Sequence, residues 1–272
     1  MVKPIQHILI ANRGEIAQRI IRTAQRMGIR TTAIYSDPDA ALPYVRAAQQ
    51  AIRLPGTAAA ETYLDQDLLL DIARKQGADA IHPGYGFLSE QAAFAKKCAE
   101  TGLRFIGPNA TAIASMGSKS EAKAIMEKHE VPTIPGYRGT DQTPDRFQQE
   151  AENMGFPVLV KAAAGGGGKG MRIVRTPEEL PDILQSARRE AKAAFGDDEL
   201  LLVRYFESAR HIEFQIFGDQ HGNVIHLLER ECTIQRRYQK VLEESPSPVL
   251  STDDRKAMGA AAVRAAKALH YD

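Results

Sequence analysis

The sequence predicts an α/β protein: a parallel sheet wound from βα units, then a smaller α+β unit, then a third region that opens with antiparallel strands. Three observations carry this. Over the first ~110 residues short apolar runs alternate with amphipathic segments, the pattern of a parallel sheet with crossover helices. Two prolines and a glycine in Val131-Pro132-Thr133-Ile134-Pro135-Gly136 then mark a boundary. Beyond it an apolar run, Phe156-Pro157-Val158-Leu159-Val160-Lys161, ends in a lysine and enters a glycine-saturated loop, Ala162-Ala163-Ala164-Gly165-Gly166-Gly167-Gly168-Lys169-Gly170-Met171.

The elements follow in order. His7–Ala11 reads as the first strand, and Glu15–Met27 as a helix with Ile16, Ile20, Ala24 and Met27 on one face and Gly28 at its end. Thr31–Tyr35 is a second strand. Leu64, Leu68, Leu69 and Ile72 mark a helix that ends at Gly77. Ala80–His82 is a short strand, Ser89 caps a helix running to Glu100, and Leu103–Ile106 leads into Gly107-Pro108. Ala110–Glu130 is mostly helical. Past the boundary come strand Val158–Lys161, the glycine loop, strand Met171–Val174, a helix from near Pro177 and strand Leu200–Tyr205. Two antiparallel strands then flank the turn Gly218-Asp219-Gln220-His221-Gly222-Asn223. Lys256–His270 is alanine-rich and helical in pattern, and the absence of a finishing element after Tyr271-Asp272 predicts a fragment with an incomplete last domain. The expected division is residues 1–115, a helical linker 116–134, a unit 135–204 and the beginning of a further unit, 205–272.

Composition narrows the function. The chain has 272 residues, 43% hydrophobic and 25% charged, an ordinary globular balance. Thirty-five basic against 34 acidic residues leave a net charge of +1, so nothing global points to nucleic acid or to a membrane surface. Any anion site must be local. Cys98 and Cys232 lack metal-type spacing and read as free thiols of a reducing compartment. No stretch reaches membrane-spanning length and the N-terminal apolar run is too short for a signal peptide, so the expected location is cytoplasmic.

The glycine loop is the strongest local signal. Four consecutive glycines carry a heavy entropic cost that is tolerable where backbone must approach a ligand closely and move. Successive N–H groups with Lys161 and Lys169 nearby suit a polyphosphate, although a mobile linker has the same composition. The loop is not of the Walker type, because Ala163 and Gly170 stand where that pattern needs glycine and Ser/Thr. In His211-Ile212-Glu213-Phe214-Gln215-Ile216 strict alternation puts His211, Glu213 and Gln215 on one face, either a solvated face or a site wall. Glu229-Arg230-Glu231-Cys232-Thr233-Ile234-Gln235-Arg236-Arg237-Tyr238-Gln239-Lys240 gathers four cations; such a run is ordinarily solvated, yet Glu229, Glu231, Glu243 and Glu244 are placed to hold them as a site for a small oxyanion. His82-Pro83-Gly84-Tyr85-Gly86-Phe87-Leu88-Ser89-Glu90 follows a strand and precedes a helix, where open α/β sheets bind ligands, but it fails the dinucleotide fingerprint at the third glycine. Lys119 opens a helix and by itself reads as a surface lysine.

Together Ile8–Ala17, His82–Glu90, Met116–Lys119, Lys161 with Gly165–Met171, Arg210–Glu213 and Glu231–Lys240 resemble the biotin carboxylase family, the ATP-grasp component of carboxylases acting on acetyl-CoA, propionyl-CoA, methylcrotonyl-CoA or pyruvate. The resemblance runs from Ile8 to about Pro248. It implies an N-terminal Rossmann-like domain, a small α+β lid carrying the glycine loop, and an incomplete ATP-grasp body. It further implies ATP-dependent carboxylation of biotin, carried on a carrier protein or domain, through carboxyphosphate made from bicarbonate. By the resemblance, Lys119 and Lys161 contact ATP phosphates with Gly167 and Gly168 wrapping them. Val203, Arg204, Tyr205 and Phe206 grip adenine through backbone groups; His211, Gln235 and Tyr238 sit near ribose and phosphates; Lys240 and Arg236 approach bicarbonate. Many members carry an acidic residue at Val203 and His or Asn at Tyr238. The resemblance implies Mg2+ or Mn2+ with ligands beyond residue 272, a carboxyltransferase partner and a homodimer, with Arg19 and Arg22 as candidate contacts. A carbamoyl-phosphate synthase-like ligase or a non-catalytic nucleotide-binding module are the alternatives, and as an incomplete site the chain alone is expected not to turn over.

Overall fold

The structure, a computed structural model, describes residues 4–117, 119–163, 171–236 and 239–272, with Lys119, Ser120, Ala194 and Phe195 described by backbone alone. It forms two compact units: the chain up to Val131 with Gln215–Leu227 and Lys256–Asp272, and Pro132–Phe214 with Leu228–Arg255.

In the first unit the chain runs β1 (His7–Ile10), α1 (Gly14–Arg26), β2 (Arg30–Tyr35), α2 (Pro43–Ala47), β3 (Gln50–Arg53), α3 (Gln66–Lys75), β4 (Ala80–His82), α4 (Ala92–Glu100), β5 (Arg104–Phe105), α5 (Ala110–Gly117) and α6 (Lys119–Lys128). The five strands form one parallel sheet in the order β3-β2-β1-β4-β5. Both faces of β1 are buried. Leu9 joins Ile34, Leu69, Ile81 and Phe94 on one side, while Ile8 and Ile10 join Ile20, Ile21, Ala33 and Tyr44 on the other. Burial on both faces is why this strand reads as a continuous apolar run and not as an alternation. The strand order reverses between β1 and β4, which makes their C-terminal ends the switch point of the sheet.

Three local expectations change. Helix α1 stops at Arg26, so Met27 is not part of its buried face but lies 68% exposed, with Gly28 at φ 73° turning the chain out. Leu64 lies outside α3, whose N-cap is Asp65, its Oδ1 accepting from the Leu68 N–H at 3.0 Å. The residue preceding α4 is Gln91, not Ser89.

The second unit contains β6 (Gly136–Tyr137), α7 (Pro144–Met154), β7 (Val158–Ala162), β8 (Arg172–Val174), α8 (Leu180–Phe195) and β9 (Leu200–Arg204). The strands make an antiparallel sheet, β6-β9-β7-β8. Phe147 and Ala151 of α7 and Leu180, Leu184, Ala187 and Ala191 of α8 bury against Val158, Val160, Leu200 and Leu202. The chain continues through β10 (Ile212–Gly218) and β11 (Val224–Glu231), which pair, the short antiparallel pair β12 (Gln235–Arg236) and β13 (Gln239–Lys240), and α9 (Thr252–Ala268).

A pH dependence is built into the first unit. His7 is 1% exposed, with Nε2 2.8 Å from Thr32 Oγ1 and Nδ1 3.3 Å from the Gly77 carbonyl. Burial, aided by the charge of Arg30, lowers its pKa from the ordinary value, and burial lowers that of His82. The unfolded chain therefore binds more protons than the native one as these groups titrate, so stability is complete above the unfolded histidine pKa of about 6.5 and declines as pH falls below it. Urea midpoints measured across that range should fall on acidification, and less steeply in the His7→Gln variant; a flat or inverted dependence in the parent, or an unchanged fall in the variant, would contradict this assignment.

Candidate functional site

The alternation of β7 fixes where Lys161 points. Val158 and Val160 face the core of the second unit, so Leu159 and Lys161 occupy the opposite, half-buried face. Antiparallel pairing sets Leu201 opposite Lys161 and Val203 opposite Leu159, which places Val203 on that same face. The strand segment that follows is already engaged: the Arg204 N–H donates to the Pro135 carbonyl at 2.9 Å and the Tyr205 N–H to the Pro157 carbonyl at 3.1 Å. Phe206 is 52% exposed. Gly167, Gly168 and Tyr238 lie outside the described residues, as does the side chain of Lys119. Lys119 belongs to the first unit, whereas Lys161, His211, Gln235, Arg236 and Lys240 belong to the second.

Around the start of β10 and the end of β11 a polar cluster is assembled. The Cys232 N–H donates to the His211 carbonyl at 2.9 Å, and the His211 N–H to Thr233 Oγ1 at 3.0 Å, so Cys232 lies across from His211. Glu213, two residues along, shares the His211 face. Its Oε1 accepts from Arg230 Nε at 2.6 Å, and its Oε2 accepts from Lys240 Nζ and, at 3.7 Å, from the Cys232 thiol. The Gln235 amide nitrogen donates to the Cys232 carbonyl at 2.8 Å and sits 2.5 Å from His211 Nδ1. Register in the short hairpin explains the convergence, since Gln235 pairs with Lys240 and Arg236 with Gln239. Hydrogen bonding to Lys240 lowers the Glu213 pKa, and the same bond raises that of Lys240, so both stay charged across the physiological range.

The acids flanking the cation run are used differently from the expectation. Glu229, 1% exposed, accepts from Arg255 Nε at 2.7 Å and from the Ser247 N–H at 3.1 Å. Glu231 accepts from Arg210 Nη1 at 2.6 Å and from Ser247 Oγ at 2.5 Å. Glu243 does reach the run, 3.8 Å from Lys240 Nζ. Glu213, not Glu229 or Glu231, holds Arg230 and Lys240. The sequence gives no signal for Arg255 or Ser247, because their link to Glu229 depends on how the chain returns after β13.

In the first unit the segment after β4 is clamped at the switch point. Asn12 Nδ2 donates to the carbonyls of Pro83 at 2.7 Å and Tyr85 at 2.8 Å, and the Tyr85 hydroxyl donates to Glu15. A Cβ on Gly84 would lie 2.8 Å from Asn12 Nδ2 and 3.1 Å from Ile16, at φ 66°, so this approach needs glycine. The Gly84 N–H donates to His82 Nδ1 at 3.1 Å.

Comparison with known proteins decides between the two ligase families. Residues 118–272, more than half of the chain, match the family described as the carbamoyl-phosphate synthase L chain, ATP binding domain. That domain alone does not separate the two ligase readings. Residues 4–113 match the biotin carboxylase N-terminal domain. The chain belongs to the biotin carboxylase family. Among its relatives, the methylcrotonoyl-CoA carboxylase subunit alpha of Glycine max is 55% identical over 267 residues, 98% of this chain and 36% of that protein. The biotin carboxylase of Nostoc is 50% identical over 264 residues, 97% of this chain and 59% of that protein. The biotin carboxylase domain dimer of the Hydrogenobacter thermophilus 2-oxoglutarate carboxylase, solved with MgADP, ADP and bicarbonate, superposes with a TM-score of 0.81 at 45% identity, covering 99% of this chain and 59% of that one. This member of the family thus spans little more than half of the shorter relatives. Its α/β fold, with one parallel and further antiparallel sheets, is that of the biotin carboxylase structures.

Proposed function

We propose that the protein carrying this chain uses ATP to activate bicarbonate as carboxyphosphate and carboxylates biotin on a carrier protein or domain. The observation that carries the reading is the coexistence of a biotin carboxylase N-terminal domain with the Lys240–Glu213–Arg230 cluster in the second unit. Phosphoryl transfer needs positioning and positive charge more than covalent chemistry. Lys119 and Lys161 neutralise ATP phosphates, with Gly167 and Gly168 folding over them and excluding water from a labile intermediate. Val203, Arg204, Tyr205 and Phe206 grip adenine through backbone groups other than the N–H groups of Arg204 and Tyr205, which are engaged. His211 and Gln235, with Tyr238, face the ribose and phosphates; Lys240, kept charged by Glu213, and Arg236 face bicarbonate.

The reaction's ATP would enter with Mg2+ or Mn2+. Among the described residues the group able to share an ion is His211, Glu213 and Cys232, a nitrogen, oxygen and sulfur set that does not suit oxygen-seeking Mg2+. No step proposed here runs through a metal held by these residues. The functional division stays 1–115, 116–134, 135–204 and 205–272. The partners in the proposal are a carrier, a carboxyltransferase acting on an acyl-CoA or keto acid, and a second copy through Arg19 and Arg22. Among the described residues no helix is long and apolar enough to cross a membrane; the proposal keeps a cytoplasmic location, while the Glycine max relative bears a mitochondrial name. The test is ATP hydrolysis by the full-length protein: it should depend on bicarbonate and rise with free biotin, and hydrolysis indifferent to bicarbonate would refute the reading.

A further inference from the structure

Besides the role proposed for His211, Glu213 and Lys240, the same cluster contains a second chemistry. One ring nitrogen of His211, a carboxylate oxygen of Glu213 and the Cys232 sulfur all lie within 4.8 Å of one another. Imidazole, carboxylate and thiol are the donor set that Zn2+ takes, and three protein donors leave its fourth position open. The three residues differ in access. Cys232 is buried and Glu213 half-buried, whereas His211 is exposed and leaves an approach from solvent. The Glu213 corner of the triangle already attracts positive charge, because its Oε2 accepts from the Lys240 ammonium and from the thiol hydrogen of Cys232.

The geometry points to a site for a thiophilic divalent cation, Zn2+ above all, held by His211, Glu213 and Cys232 in competition with the Lys240 ammonium. Binding converts the Cys232 thiol to a thiolate bound to the metal and releases its proton to solvent, while Lys240 leaves Glu213 still protonated. Arg230 keeps its bond to the other Glu213 oxygen at 2.6 Å and holds the carboxylate in place. A soft metal and an ammonium thus exclude each other at one oxygen. On the role proposed for Lys240, occupation by Zn2+ also inhibits the reaction, but the binding itself does not depend on that role.

The test uses the untagged full-length protein that carries this chain. Zn2+ is titrated against a chromophoric chelator, and Co2+ is bound in parallel to read its spectrum. One Zn2+ per chain is expected, weakened about tenfold or more by Cys232→Ser and unchanged by Cys98→Ser, since loss of a ligand costs at least what loss of a supporting contact costs. Lys240→Met should tighten binding several-fold by removing the competing cation. Co2+ on the unsubstituted chain should show a thiolate-to-metal charge-transfer band, a readout that stands even where Cys232→Ser fails to fold. No stoichiometric Zn2+, a Co2+ spectrum without the thiolate band, or affinity unmoved by Lys240→Met would each overturn the site.

Discussion

Replacing Lys240 with methionine is expected to lower bicarbonate-dependent ATP turnover of the full-length protein by about 10²- to 10³-fold, the usual loss when one charge-stabilising donor is removed from a transition state. Methionine keeps most of the length of the side chain and removes its charge. Glu213 remains paired with Arg230, so the variant does not leave a naked carboxylate. Lys240 is itself 40% exposed, and its loss should barely move the thermal midpoint. The informative comparison is turnover against stability. A large kinetic loss with an unchanged midpoint places the ammonium at the reacting charge. A loss smaller than about tenfold would reduce the ion pair to a surface contact.

The largest structural effect is expected from Arg255→Met. Glu229 has one carboxylate oxygen bonded to Arg255 and the Ser247 N–H, while its other oxygen is buried with no hydrogen-bond partner among the described residues. Removing Arg255 strands a charge in the interior, and breaking such a pair costs about 3 kcal/mol. Urea unfolding of the single variant reads this directly. Substituting both residues by apolar ones, Glu229→Leu with Arg255→Met, should recover much of the loss, because the cost comes from the orphaned charge and not from the missing bond. A single variant within about 0.5 kcal/mol of the parent, the range of neutral surface changes, would show that Glu229 is hydrated.

What could be read from the sequence follows from where burial is simplest. Strand β1 of the parallel sheet was the most legible, because burial on both faces leaves His7–Ile10 a nearly continuous apolar run. Strand β3, Gln50–Arg53, escaped notice because Gln and Arg leave only two apolar residues in it. Helix α7 was missed although Phe147, Ala151 and Met154 recur at helical spacing among polar residues. At the candidate site, alternation correctly set His211 and Glu213 on one face. The ion pairs were not legible. Which acid meets Arg230 or Lys240 depends on strand register and on the short β12–β13 hairpin, so proximity in sequence pointed to Glu229, Glu231, Glu243 and Glu244; of these Glu243 lies 3.8 Å from Lys240 Nζ, while Glu213 takes the shorter bonds to both cations. Arg210, Ser247 and Arg255 come from three separate segments, and no spacing connects them to the buried carboxylates they serve.

The central claim is that ATP is spent on bicarbonate itself. Bicarbonate labelled with heavy oxygen, supplied to the full-length protein with ATP and biotin, follows that step atom by atom. If the γ-phosphoryl group is transferred to a bicarbonate oxygen and the carbon–oxygen bond of carboxyphosphate then breaks, the released phosphate keeps one oxygen from bicarbonate. Phosphate carrying that label is the predicted result. Phosphate whose added oxygen comes from water, in a protein that still consumes ATP and carboxylates biotin, would contradict it.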